Sequence, residues 1–307
     1  MGGVIALGEC MVELSLQGPA TTSVSYAGDT YNTAVYLSRL GLDVAYGTAV
    51  GKGDPFSAGI LAALDAEGIG RGLVVEAERR LPGLYAIQTD ARGERSFFFW
   101  RSEAPARDYL SLVDLSALEA ALMGAELIFV SAIALAVFGE AGRSMLLPLL
   151  ARAAEAGVAV AFDTNYRPSL WPGPAAGRGA IEAVLAHCRF LSLSAADVAL
   201  FEGGDAGAMA RLWAGRGVEV VLRHDDHRIE VMGEGRIESF EPGPPVSVVD
   251  TTGAGDSFNA GYLAARLAGR PAAEAVAEGR RLASVVVAHK GAIIPREAMP
   301  GPQSSLR

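Results

Sequence analysis

The segment Asp250-Thr251-Thr252-Gly253-Ala254-Gly255-Asp256-Ser257-Phe258 combines residue types that phosphate chemistry uses. The β-branched run Val246 to Val249 before it reads as the end of a strand. After it the apolar spacing turns helical, pairing Phe258 with Tyr262 and Leu263 with Leu267. Between the two, Gly253-Ala254-Gly255 leaves a bare backbone that a ligand can approach closely. The following helix offers free N–H groups and its positive dipole end to that turn, which attracts phosphate. Asp256 places a carboxylate inside this anion site, where it could serve as a base in phosphoryl transfer. A plainer reading stands beside it: Gly-x-Gly turns also serve tight packing, and Asp is a favoured N-cap. A dinucleotide fingerprint fits poorly, because Phe258 occupies the place of its third glycine.

The elements that must position this turn follow an alternating pattern. Val4 to Leu7, Tyr46 to Val50, Leu127 to Val130, Val158 to Phe162, Phe190 to Leu193 and Val218 to Leu222 read as short buried strands. Helical stretches separate them: one follows Thr30 and stops at Gly41, and another carries Phe56, Ile60 and Leu64 and ends near Gly68. The pattern predicts an α/β chain with a mostly parallel sheet and helices on both faces. Residues 1–300 read as one domain and 301–307 as a disordered tail.

One region breaks the rhythm. Gly83 to Thr89 and Arg95 to Arg101 are strand-like runs joined by the turn-rich Asp90-Ala91-Arg92-Gly93-Glu94. Period-two alternation puts Tyr85, Ile87 and Thr89 on one face, and Phe97, Phe99 and Arg101 on one face of the partner strand. So aromatic a hairpin must cover something: a core, a second copy of the chain, or a ligand.

Composition narrows the class. The chain has 307 residues, half of them apolar and 20% charged, enough for a substantial core and unlike a disordered chain. A net charge of −9 argues against nucleic acid and anionic membranes as partners. Cys10 and Cys188 are too few for a disulfide framework. The N-terminus lacks the pattern of a signal peptide, and no run reaches the roughly 18 apolar residues of a membrane span, so a cytoplasmic protein is expected.

The stretch from Asp250 to Phe258 resembles the C-terminal signature of the PfkB, or ribokinase-like, carbohydrate kinases. Other segments resemble that family's 2-keto-3-deoxygluconate kinase branch, in the same order along the chain. They begin with Gly8-Glu9-Cys10-Met11-Val12-Glu13, Ala27-Gly28-Asp29-Thr30-Tyr31-Asn32 and Arg80-Leu81-Pro82-Gly83-Leu84-Tyr85. Gly93 to Arg101, Asp163-Thr164-Asn165-Tyr166-Arg167-Pro168 and Gly291-Ala292-Ile293-Ile294-Pro295-Arg296 complete the set.

The resemblance implies a three-layer αβα ribokinase-like fold with a small β-sheet lid, its strands within 10–30 and 83–101. It implies ATP and Mg²⁺, phosphorylation of the 6-hydroxyl of a keto-deoxy sugar acid in sugar-acid catabolism, and a monovalent cation near Asp250. Gly253, Ala254 and Gly255 become the anion hole and Asp256 the catalytic base. Gly28, Asp29, Asn32, Tyr85, Phe99, Arg101 and Arg167 become substrate contacts. Asn165, Arg167, Ser194, Arg223 and Asp225 join Gly253 and Gly255 at the nucleotide, and Asp197 reaches the metal through water. A homo-oligomer is implied, a dimer through the lid or larger.

The chemistry of the residues agrees. A guanidinium fork matches a carboxylate, so Arg101 and Arg167 suit an acidic sugar, although each could also be a solvated charge. Asn32 could bind sugar hydroxyls or cap its own helix. Gly47 to Gly53 imitates a Walker loop but has only three residues between its first two glycines and no hydroxyl after Lys52. Phosphoryl stabilisation therefore falls to the Gly253–Asp256 turn, Mg²⁺ and arginine. The chain departs from its branch in four places: Ala27 before Gly28, Phe99 where a tyrosine is usual, Ser194-Ala195-Ala196-Asp197 for Asn-x-x-Glu, and Asp225 for glycine. His224-Asp225-Asp226-His227 reads as a charged surface turn more readily than as a metal site. The alternatives are a kinase for fructose or a related keto sugar acid, and a sugar-acid-binding protein with a decayed nucleotide site.

Overall fold

The computed structural model describes residues 2–18, 21–89, 95–201 and 204–301. The expected Asp90–Glu94 turn and residues 302–307 of the expected tail lie outside the described residues. Nine strands form the main sheet: β1 (Val4–Leu7), β4 (Val44–Gly51), β5 (Val74–Ala77), β8 (Leu127–Ser131), β9 (Ala159–Asp163), β10 (Phe190–Ser194), β11 (Glu219–Arg223), β12 (Ile229–Gly233) and β13 (Arg236–Phe240). Their order is β13-β12-β11-β10-β9-β8-β1-β4-β5. All pair in parallel except β12 and β13, which extend one edge as an antiparallel hairpin.

The central strands alternate between two cores. In β8, Ile128 and Val130 pack on one side with Leu135, Leu146 and Ile181, while Leu127 and Phe129 pack on the other with Tyr36, Phe258 and Leu282. Helices Asp29–Arg39, Ala254–Leu267 and Ala272–Val286 cover the second face, and Ala132–Glu155 and Pro174–Leu185 cover the first. Both faces are buried, which is why these strands read as apolar runs. By length and composition Ala132–Glu155 could cross a membrane, yet it breaks at Gly139 and buries Leu135, Leu146 and Leu150 in the core.

The expected strand end at Val246–Val249 is a correction: that segment is irregular and exposes Val246, Val248 and Val249 by 43%, 57% and 59%. Pro242, Pro244 and Pro245 precede it and carry no N–H for a ladder. Local β propensity had no strand edge to join.

The lid is a four-stranded sheet of β2 (Met11–Gly18), β3 (Thr21–Ala27), β6 (Leu84–Thr89) and β7 (Arg95–Trp100), ordered β3-β2-β6-β7. Its register puts Glu13, Tyr85 and Phe99 abreast on one face and Val12, Leu84 and Trp100 on the other. The first face turns inward, where Met11, Ala27, Tyr85 and Ile87 cluster with Ala292 of the main body.

Candidate active site

The turn before helix Ala254–Leu267 is built for an anion. Gly253 takes a left-handed conformation (φ 76°), and a Cβ there would come within 2.6 Å of the Ala292 carbonyl oxygen. The first intrahelical bond runs from Ser257 N–H to Gly253 O at 2.9 Å, so the Gly255 and Asp256 N–H groups precede the ladder. Ala254 N–H is already spent on Thr251 O at 3.2 Å, which narrows the donor set. Arg223, at the end of β11, lies over this turn: its Nη1 is 2.9 Å from where a Gly255 Cβ would stand.

Asp256 is buried in the first turn of that helix and accepts a 2.8 Å hydrogen bond from the Asn32 side-chain amide. Burial pushes its carboxyl well above the ordinary carboxylate range; Asp29 adds to the shift, and Asn32 and Arg223 oppose it. Asn32 thus spends its Nδ2 on the carboxylate, while its Oδ1 faces the Gly28 N–H at 3.4 Å.

Most of the residues expected to contact the substrate gather on the lid side of this turn. Gly28 is demanded by space, since a Cβ would sit 2.1 Å from the Glu9 carbonyl oxygen. Arg101 forms an ion pair with Glu9, a residue that was not among the expected contacts. Burial raises the Glu9 carboxyl against the pull of Arg101, and Glu9 Oε1 is buried without a hydrogen-bond partner among the described residues. The Tyr85 hydroxyl donates to Glu13, a second unexpected participant, which also accepts from Ser25 at 3.0 Å. Phe99 stacks on Tyr85 with centroids 5.6 Å apart and is half exposed. Beneath the lid, Glu13, Ser25, Ile87, Thr252 and Lys290 line a cavity of about 230 Å³. No local sequence signal marks either: the register that sets Glu13 abreast of Tyr85 joins residues 72 positions apart, and Arg101 is 92 positions from Glu9.

On the opposite side Asp163 is a hub, accepting from Arg223 Nη2 at 3.1 Å and from Asn259 Nδ2 at 2.9 Å. Asp197 lies in the helix Ala195–Phe201; it accepts from Thr164 at 2.9 Å and has Arg167 Nη1 at 3.9 Å. Burial and the neighbouring Asp163 raise its carboxyl. Such a buried oxygen donor fits Mg²⁺, which uses few carboxylates and keeps its waters. Asn165, expected at the nucleotide, donates to Asp29 at 3.2 Å. Ser194 ends β10, half buried near Thr164. Asp225 is exposed in the β11–β12 turn, where His224 and Arg228 engage Glu230 at 3.0 and 2.6 Å. Asp250 ties two loops together, accepting from Thr252 N–H at 2.9 Å and Gly291 N–H at 2.7 Å.

Comparison with known proteins agrees with this arrangement. The family model described as pfkB family carbohydrate kinase matches residues 1–299. A 2-dehydro-3-deoxygluconokinase of Dickeya dadantii (strain 3937) is 41% identical, over 97% of this chain and 98% of its own. The 2-dehydro-3-deoxygluconokinase of Escherichia coli (strain K12) is 39% identical over the same shares. The fold is shared with a structure described as a putative ribokinase II from E. coli in complex with ATP and Mg²⁺ (TM-score 0.84, 20% identity, 98% of this chain and 96% of that one). An anion turn with a buried carboxylate, a two-sheet α/β architecture and a family match along nearly the whole chain lead to one assignment: the protein belongs to the PfkB family of carbohydrate kinases.

Proposed function

We propose that the protein transfers the γ-phosphoryl group of ATP to the 6-hydroxyl of 2-keto-3-deoxy-D-gluconate, giving 2-keto-3-deoxy-6-phosphogluconate in sugar-acid catabolism. The observation that carries this reading is the Asp256 carboxylate, held by Asn32 beside the Gly255 and Asp256 N–H groups that precede the helical ladder. The names of the Dickeya and E. coli relatives supply the sugar acid.

In this reading the 6-hydroxyl lies against Asp256, which accepts its proton as the oxygen bonds to phosphorus. Even a raised carboxyl is far weaker as a base than an alkoxide, so the proton moves late, as transfer proceeds. Gly255 and Asp256 N–H groups and Arg223 face the charge on the transferring phosphoryl, where fixed donors act without reorganising. Mg²⁺, when bound near Asp197, neutralises phosphate charge. Arg101 receives the sugar carboxylate, since pairing with Glu9 leaves it further N–H groups, and Arg167, beside Asp197, reaches between the sugar and the phosphates.

The lid closes over the cleft and supports a dimer through its outer face, where Leu16, Val24, Phe98 and Trp100 are exposed by 38%, 51%, 46% and 60%. A cytoplasmic location accords with this metabolic role. A coupled ADP-release assay over sugar acids and neutral hexoses tests the reading. Preference for 2-keto-3-deoxygluconate supports it, and equal or better turnover of fructose contradicts it.

A further inference from the structure

Helix Asp29–Arg39 bears on the anion turn directly, through Asn32 and the Thr33 hydroxyl, which donates to the Asp256 carbonyl at 3.4 Å, and indirectly through Tyr36. Asn32 touches Asp256 directly, at 2.8 Å. One helical turn later, on the same face, Tyr36 is completely buried. Its hydroxyl donates to the Ala292 carbonyl at 2.7 Å and accepts from the Ile294 N–H at 3.2 Å, so one oxygen spans the 292–294 backbone. Burial lifts this hydroxyl to about 12, so it remains a donor at any working pH. Ala292 is in turn the backbone against which Gly253 packs, with no room for even a methyl group between them. The loop has a second tie upstream, through Gly291 N–H to Asp250 at 2.7 Å.

From this geometry we infer that Tyr36 is a positioning residue for phosphoryl transfer: its hydroxyl clamps Ala292 and Ile294, and through Ala292 it sets the place of Gly253 and the anion turn. Asn32 and Tyr36 then fix the base and the phosphate donors from a single rigid helix, which keeps their separation constant. The catalytic consequence rests on the reaction proposed above; the mechanical link does not.

The test compares Tyr36→Phe with Tyr46→Phe. Each removes one buried oxygen and keeps the ring, but the Tyr46 hydroxyl bonds Thr30 at 2.9 Å, whereas the Tyr36 hydroxyl bonds Ala292 and Ile294. In Tyr36→Phe, amide exchange over residues 252–256 should accelerate about tenfold. Its kcat should fall about tenfold with the sugar KM within about twofold, because the donors act on the transition state. Tyr46→Phe should leave both readouts within about twofold, even if its melting temperature falls. The inference is overturned if exchange over 252–256 or kcat in Tyr36→Phe stays at the wild-type level, or if Tyr46→Phe changes them equally. If wild-type protein fails to phosphorylate the sugar acid, the reaction assignment fails by itself, and the exchange comparison still decides whether the clamp exists.

Discussion

The side-chain amide of Asn32 donates to the carboxylate of Asp256 at 2.8 Å, joining the start of one helix to the start of another 224 positions away in sequence. This bond favours the ionised carboxylate, whereas burial and Asp29 favour the protonated one. Burial prevails, so Asp256 is a stronger proton acceptor than an ordinary aspartate, yet it must be ionised to act.

The pH dependence follows. A base raised above the usual carboxylate value of about 3.9 loses activity as pH falls through its raised value, so the acid limb of kcat/KM should stand above that range. Asn32→Ala removes a charge-assisted hydrogen bond and should move the limb upward by about one pH unit. A limb that stays in place in Asn32→Ala would show that the amide does not tune the base.

Asp256 should cost the fold stability. Its folded pKa lies above its unfolded one, so the folded state holds the extra proton between the two values. Stability therefore falls as pH rises through that window. Asp256→Asn removes the burden and should melt about 2 °C or more above wild type once pH exceeds the raised pKa. The difference should close toward pH values below the ordinary carboxylate range. Calorimetry across pH checks this, and a constant difference would contradict it.

Arg101 and Glu9 should separate recognition from stability. Arg101→Ala leaves the buried Glu9 carboxylate without its partner and should lower the melting temperature. It should also reduce kcat/KM for the sugar acid about 100-fold while changing that for a neutral hexose about threefold or less. Adding Glu9→Gln should restore stability without restoring sugar-acid preference. Equal losses on both sugars would remove Arg101 from carboxylate recognition.

The outer lid face should hold two copies together. Trp100→Asp puts a charge among Phe98, Val24 and Leu16 and should halve the mass read by light scattering at micromolar protein. A wild-type monomer under those conditions would contradict lid-mediated pairing.

Much of this architecture was legible because its signals are local. Strands β1, β8 and β10 are buried on both faces and so appear as apolar runs, and the Gly253–Asp256 turn concentrates its chemistry in four consecutive residues. Val246–Val249 misled because β propensity says nothing about whether a partner edge exists. The β12–β13 hairpin escaped because its short strands lie at the sheet edge amid charged residues. Glu9 and Glu13 were missed for another reason: both became informative only when long-range pairing placed Arg101 and Tyr85 beside them. The bond from Asn165 to Asp29 was hidden for the same reason, since the partner is 136 positions away.

The central claim is that Asp256 serves as the base for phosphorylation of a sugar acid. Its most direct test is ADP release from ATP and 2-keto-3-deoxygluconate by wild type and Asp256→Asn, with sugar binding followed by calorimetry. The account expects wild-type turnover, and in Asp256→Asn a loss of about 1,000-fold or more in kcat with sugar affinity within about threefold. Turnover by Asp256→Asn at the wild-type level would contradict it.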